Sequence, residues 1–223
     1  MPVWNEATTA AKVVEMVLAQ RAVRQLIIFD DASTDGTSGI LSQLAACDSR
    51  ITLIRHPSNR GKGASLRTGF AAAQAPFVIV QDADLEYDPA EFERLLNPLL
   101  SGKADVVYGS RFLGYGERRV LYFWHSVGNH LLTLLCNSAT NLTITDMETC
   151  YKVFRREVIQ AIEIEEKRFG FEPEVTAKLA KMKVRIYEVP VSYYGRTYAE
   201  GKKIGWRDGL WALWCILKYN FLR

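Results

Sequence analysis

Two short apolar runs, each ending in a cluster of acids, constrain this chain more than any other feature. Gln25-Leu-Ile-Ile-Phe29 leads into Asp30-Asp31-Ala-Ser-Thr-Asp35-Gly36, and Pro76-Phe-Val-Ile-Val80 leads to Asp82-Ala83-Asp84. A strand that is apolar at every position needs cover on both faces, the condition of a parallel strand in an α/β sheet. Both acidic groups then belong at the carboxyl ends of their strands, along one rim, and open α/β sheets bind ligands outside that rim. Two carboxylates spaced by one residue are hard oxygen donors that suit Mg²⁺ or Mn²⁺ carrying a phosphorylated substrate, and zinc poorly.

Around these runs, strands and helices alternate. The pattern predicts helices near 7–19, 37–46, 62–74 and 89–100, and strands at 25–29, 51–55, 77–80 and 104–108. That order predicts a Rossmann-like, doubly wound, mostly parallel sheet flanked by helices in a single domain over 1–223. Pro89 at a first helical turn, and Ser33 and Asp35 ahead of the second helix, supply start signals. Because the chain opens at Met1-Pro2-Val3-Trp4-Asn5-Glu6, its first buried strand is expected to be truncated, which leaves neighbouring edges short of cover. After Gly109 come a Gly- and Arg-rich loop, an apolar segment at 120–135, a short apolar stretch at 151–154, a helix at 173–182, a strand at 184–189 and a basic, aromatic tail.

A net charge of +3 over 223 residues is too small to imply a nucleic-acid partner. Cys47, Cys136, Cys150 and Cys215 show no CxxC spacing, so they read as reduced thiols and not as a disulfide or zinc framework. No apolar stretch reaches the roughly 20 residues of a membrane span. The 120–135 segment and the 204–222 tail, with Trp206, Trp211, Trp214, Lys218 and Arg223, nevertheless combine aromatic and basic residues as an interfacial membrane helix does. A helix packed on a protein core is the other reading of both segments.

Five motifs in order carry a family resemblance across nearly the whole chain: Pro2-Val-Trp-Asn-Glu6, Asp30-Asp-Ala-Ser-Thr-Asp-Gly-Thr37, Asn59-Arg-Gly-Lys-Gly63, Asp82-Ala-Asp-Leu-Glu86 and Gly109-Ser-Arg111. Together they resemble family 2 glycosyltransferases of the GT-A fold, and within them the dolichyl- or polyprenyl-phosphate mannosyltransferase and glucosyltransferase group. The resemblance implies an inverting enzyme that moves a hexose from a GDP-mannose- or UDP-glucose-type donor to a polyprenyl or dolichyl phosphate. It would act peripherally at the cytosolic membrane face, with a separate membrane subunit as a further partner to test. By the same resemblance 1–109 is the nucleotide-sugar half, 110–203 the acceptor half and 204–223 an amphipathic membrane-interface helix. Pro2, Trp4, Glu6, Asp31, Asp82 and Ala83 would hold the nucleotide, with Asp31 accepting from a base N–H. Asp82, Asp84 and Glu86 would hold Mg²⁺ or Mn²⁺. Arg111, Arg119 or its neighbour Arg118, Arg196 and Lys202 would clamp phosphates, and Asp84, Arg111 and Arg196 would carry catalysis.

The residues themselves support part of this. Asp30, Ser33 and Asp35 read as turn-formers. Three crowded acids repel one another and call for a cation. Asn59–Gly63 fails both the G-x-x-x-x-G-K-[ST] order and the dinucleotide fingerprint, where Leu66 replaces the third glycine. It keeps a helix N-terminus that favours a phosphate, or a plain turn. A phosphate acceptor is already an anion and needs charge pairing, for which Arg forks are matched. A hydroxyl acceptor would instead need a base, with Asp146 or Glu148 as candidates. A non-catalytic membrane module is the third reading. Glu172 and Glu174 suit the first turn of a helix.

Overall fold

The computed structural model describes residues 1–114, 118–120, 122–197, 199–201 and 205–223. Strands β1 (Pro2–Val3), β2 (Leu26–Asp30) and β3 (Ile51–Arg55) form a parallel sheet in the order β1-β2-β3. Helices α1 (Ala10–Leu18) and α2 (Thr37–Cys47) connect them, and α3 (Lys62–Ala72) leads on to β4 (Phe77–Ile79). Strand β1 has two residues.

The second half adds one antiparallel strand to the mostly parallel arrangement that the sequence predicts. Its four strands run in the order β4-β6-β5-β7, with β5 at Val106–Ser110, β6 at Lys152–Arg155 and β7 at Ile186–Pro190. Strand β6 is antiparallel to both β4 and β5, whereas β5 and β7 are parallel. The chain leaves β5 at the acidic rim, forms helix α5 (Phe123–Thr140), and re-enters at Lys152 beside Tyr108 near the same rim. A segment that leaves and returns at one rim reverses its direction, so no crossover is made. The remaining elements are a 3₁₀ turn at Pro89–Glu91, α4 (Phe92–Leu100), α6 (Arg156–Gln160), α7 (Phe171–Met182), α8 (Trp206–Leu217) and a π-helical turn at Lys218–Leu222. Asp88 caps the 3₁₀ turn through the Ala90 amide at 2.9 Å, and Pro89 takes its first position.

The main core joins Val13, Val14 and Val17 of α1, Leu41 of α2 and Ile28 of β2 with Leu95 and Leu99 of α4 and Val106, Val107, Val153 and Phe154 of the second sheet, and a smaller cluster holds Ala177, Cys215 and Tyr219. Burial of such side chains stabilises by about 1.5–3 kcal/mol each.

The start of α3 is fixed by close approach of backbones. A Cβ on Gly61 would lie 2.2 Å from the Lys167 carbonyl oxygen, and one on Gly63 2.2 Å from that of Glu166; Gly61 also holds φ +86°. Glycine is required at both positions by packing and, at Gly61, by backbone conformation as well.

Among the described residues no helix is long and apolar enough to cross a membrane. Helices α5 and α8 pack together, yet α5 buries only Thr133 and Cys136. Trp124 is 78% exposed and Trp206 73% exposed, and Phe123, Leu131, Leu134, Leu210, Trp211 and Phe221 are exposed too. The core reading of the 120–135 segment is therefore corrected for most of its apolar residues. All four cysteines are free thiols.

Candidate active site

The loops after β1, β2 and β4 share one rim, and each contains a non-glycine residue in the left-handed region: Asn5, Ala32 and Leu85. Such backbone conformations persist only where surrounding contacts hold them, and they cluster at functional sites. The contacts here are explicit. Asp30 accepts from the Ser33 amide and the Ser38 hydroxyl, and Asp35 from the amides of Ala7 and Thr37. Ser33 Oγ and Thr37 Oγ1 each accept at 3.0 Å from the amides of Asn5 and Glu6. These residues form the turn and tie it to the segment after β1, as expected of Asx and Ser/Thr side chains.

Asp31 is engaged differently from the expectation. Its carboxylate accepts from the amides of Arg60 and Gly61 at 2.8 and 2.7 Å and contacts His56 Nδ1 at 2.7 Å. Asp31 thus anchors the 56–61 loop, and any base contact would use its remaining lone pairs. The two amides that a phosphate loop at Asn59–Gly63 would offer are pointed at Asp31 instead, so this segment is a brace between loops.

The acids after β4 are each paired with a base. Lys62 Nζ donates to Asp82 Oδ2 at 2.9 Å and lies 3.2 Å from Glu172 Oε1. Arg196 reaches Asp84 Oδ2 at 3.1 Å and Glu6 at 3.1 and 3.3 Å, and its amide donates to Glu86 Oε1 at 2.8 Å. Glu86 also accepts from the Tyr193 hydroxyl at 2.9 Å. The predicted trio Asp82, Asp84 and Glu86 does not converge as one ligand set: among the described residues no three acidic, His or Cys groups do. The physical reason is that Glu86 is taken up by Tyr193 and Arg196.

The donor chemistry still fits a hard divalent cation. Burial, then the neighbouring charges of Asp82 and Glu86, pushes the Asp84 carboxyl up to about 7, although Arg196 opposes this, and a cation beside it would offset both causes. Mg²⁺-type ions commonly use one or two carboxylates, with substrate phosphates and water completing the shell. Asp82 and Asp84 match that requirement.

On the other side of Tyr193 stands Arg111, its guanidinium 5.0 Å from the ring centroid. Arg111 pairs with the fully buried Asp146 in a fork, Nε to Oδ2 and Nη2 to Oδ1 both at 2.7 Å. Against the penalty of burial, Arg111 holds the Asp146 carboxyl below the usual range. Asp146 is therefore a poor proton acceptor. Glu188 secures this loop by accepting from the amides of Thr145 and Asp146.

Other predicted residues are scattered. Trp4 is exposed at the rim, Pro2 lies in β1, and Ala83 is buried between the two aspartates. Arg119 donates to Gly195 O at 3.2 Å and to Glu200 at 2.8 Å, and Arg118 stacks over Phe112. Lys202, with Lys203, lies outside the described residues. Sequence reasoning missed Lys62, Tyr193 and Glu188 as partners. Lys62 was visible only as part of its motif.

Glu148 is half-buried, with Oε1 unpartnered. Burial, then Glu172, pushes its carboxyl up to about 8, although Lys152 and Arg111 oppose this and Asp146 adds to it. A carboxyl whose folded-state pKa lies above its unfolded 4.5 favours folding fully only at low pH, and that contribution is lost as pH rises toward 8. Glu148→Gln should therefore melt close to wild type at pH 5 and roughly 5 °C higher at pH 8. Equal melting temperatures at pH 8 would remove the charge conflict at this residue.

Comparison with known proteins agrees with the geometry. The chain is 28% identical over 216 residues to the low-salt glycan biosynthesis hexosyltransferase Agl6 of Haloferax volcanii, covering 93% of this chain and 50% of that protein. It therefore spans half of that relative's length. It is 27% identical over 217 residues to an undecaprenyl-phosphate mannosyltransferase of Micrococcus luteus, covering 92% of this chain and 86% of the other. Its fold matches glucosyl-3-phosphoglycerate synthase of Mycobacterium tuberculosis, crystallised with Mn²⁺ and UDP-glucose, at a TM-score of 0.74 and 19% identity over 98% of this chain and 77% of that one. The sequence model of glycosyl transferase family 2 matches residues 1–163. With that match over most of its length, and an α/β fold whose acids gather at one strand rim, the chain belongs to glycosyl transferase family 2.

Proposed function

We propose that this protein transfers one hexose, with inversion, from a nucleotide-diphosphate sugar to a polyprenyl phosphate at the cytosolic membrane face. One observation carries the reading. A continuous line of contacts runs from Asp84 through Arg196 and Glu86 to Tyr193 and Arg111. It joins carboxylates suited to a cation–diphosphate to a cation suited to an anionic acceptor, and the carboxylate nearest that acceptor, Asp146, is locked in an ion pair. The archaeal relative's name supports transfer of a hexose, and the bacterial relative's name supports transfer of mannose to a polyprenyl phosphate.

In this reading residues 1–109 bind the donor, with Trp4 against the base and Glu6 and Asp31 near the nucleoside, and 110–203 bind the acceptor. Asp82 and Asp84 would hold Mg²⁺ or Mn²⁺. When bound, the ion supplies positive charge that stabilises the departing nucleoside diphosphate. Arg196 adds charge to the diphosphate, and Arg111 orients the acceptor oxygen. Arg119 and Lys202 add further positive charge on the acceptor side. Catalysis is then mainly positioning and electrostatic stabilisation. The exposed aromatic faces of α5 and α8 would rest on the lipid surface, bringing the site to its acceptor. A separate membrane subunit could share that face.

Transfer of radiolabel from GDP-mannose or UDP-glucose into organic-extractable polyprenyl-phosphate product tests the reading. EDTA should reduce it by at least about a hundredfold, with recovery on adding Mn²⁺ or Mg²⁺. Full activity in EDTA would remove the metal. A second reading, transfer to a hydroxyl, is favoured by the raised pKa of Glu148, which suits a general base. It requires water-soluble product and loss of activity in Glu148→Gln.

A further inference from the structure

Asp82, one of the two proposed cation ligands, is held by a lysine that has a second carboxylate within reach. Lys62 stands at the first position of α3, immediately after the loop braced by Asp31. Its ammonium lies between Asp82 Oδ2 at 2.9 Å and Glu172 Oε1 at 3.2 Å. Glu172 is only 4% exposed, and its other oxygen, Oε2, is buried without a hydrogen-bond partner. A buried carboxylate oxygen left unpaired costs about 1–3 kcal/mol, so its persistence calls for a reason.

The two helices that carry this pair cannot drift apart freely. The α3 start packs without any side chain against the carbonyls of Glu166 and Lys167, a few residues before Glu172 in α7. The Ala64 amide also donates to Lys167 O. Lys62 and Glu172 therefore keep their relative position whether or not Asp82 stays in the pair.

Resting on the donor-site reading above, we infer that Glu172 is a positioning residue for the cation site: it takes over the Lys62 ammonium when a divalent ion claims Asp82. The unpaired Oε2 is where the additional N–H is received. Without Glu172, releasing Asp82 would strand a buried ammonium, and the ion would compete with Lys62 at full strength. Arg196 is built on the same plan at Asp84, since Glu6 also binds it and its unpartnered Nε lies 3.7 Å from Glu86 Oε1. No bond is made or broken in this exchange.

The test is Mn²⁺ titration of the sugar-free protein followed by electron paramagnetic resonance, with folding checked by circular dichroism. Glu172→Gln should weaken Mn²⁺ binding about tenfold. Lys62→Gln should tighten it severalfold, because it removes a competing charge beside the ligand. The double variant decides the matter: once Lys62 is absent, Glu172→Gln should change affinity by less than about twofold. An equal tenfold loss in both backgrounds would show that Glu172 acts by bulk charge alone and would overturn the inference. Lys62→Met, which keeps the aliphatic stem, replaces Lys62→Gln if that variant does not fold. Wild-type protein that binds no Mn²⁺, or Asp82→Asn that binds as wild type, would overturn the donor-site reading itself.

Discussion

Asp84→Ala is expected to reduce sugar transfer to polyprenyl phosphate by about a thousandfold or more, while the protein stays folded. The two halves of that expectation have different origins. Activity falls because the proposed cation loses one of the two carboxylates assigned to hold it. Stability is spared because burial and two neighbouring acids already disfavour charge on Asp84. Arg196 also keeps Glu6 and Glu86 as partners when Asp84 is gone. A melting temperature at or above that of wild type, with turnover near background, is the outcome that fits. Undiminished turnover would refute the role of Asp84.

Asp146→Ala should behave in the opposite way, harming the fold first. It leaves the Arg111 guanidinium without its fork-shaped partner and removes the group to which Asn129 also donates. Stranding one member of a buried pair costs about 3–5 kcal/mol. For a chain of this size that is a fall of about 10 °C in melting temperature. Adding Arg111→Met should recover at least about half of the loss, since the uncompensated charge is then gone. Activity should stay low in the double variant, because the acceptor-side cation has been removed with it. If Asp146→Ala melts within about 2 °C of wild type, the pair contributes little and Arg111 is less confined than its contacts indicate.

The parts of this architecture that could be read in the sequence are those set by local pattern. Strands β2 and β4 and their terminal acids followed from uninterrupted apolar runs, because a strand with cover on both faces needs no polar alternation; β2 is largely buried and β4 half-buried. The turn at Asp30–Asp35 followed from side chains that bond their own backbone. The reversal of β6 was not legible: Lys152–Arg155 places only Val153 and Phe154 between two bases, too short a pattern to tell direction, which depends on where a long excursion re-enters the sheet. The apolar helix α5 was ambiguous for a related reason, since one periodicity serves a helix facing protein and a helix facing lipid.

Within the site, chemical type was easier to read than partnership. Asp82, Asp84, Arg111 and Arg196 were all singled out as reactive groups, but each sits in an ion pair that the sequence did not announce. Lys62 and Glu172 illustrate why. They are far apart along the chain, and only the close meeting of α3 with the 166–168 backbone brings them together. Glu86 was assigned to the cation by the family resemblance and its i, i+2, i+4 spacing, yet Tyr193, from the opposite side of the sheet order, draws it toward Arg196.

The bare glycine contacts at the start of α3 also limit how this enzyme could be retuned. Any side chain at Gly61 or Gly63 would wedge the helix away from its neighbour and carry Lys62 with it, so a library randomised across 59–63 and selected for folded protein should keep glycine at 61 and 63 and vary at the other three positions.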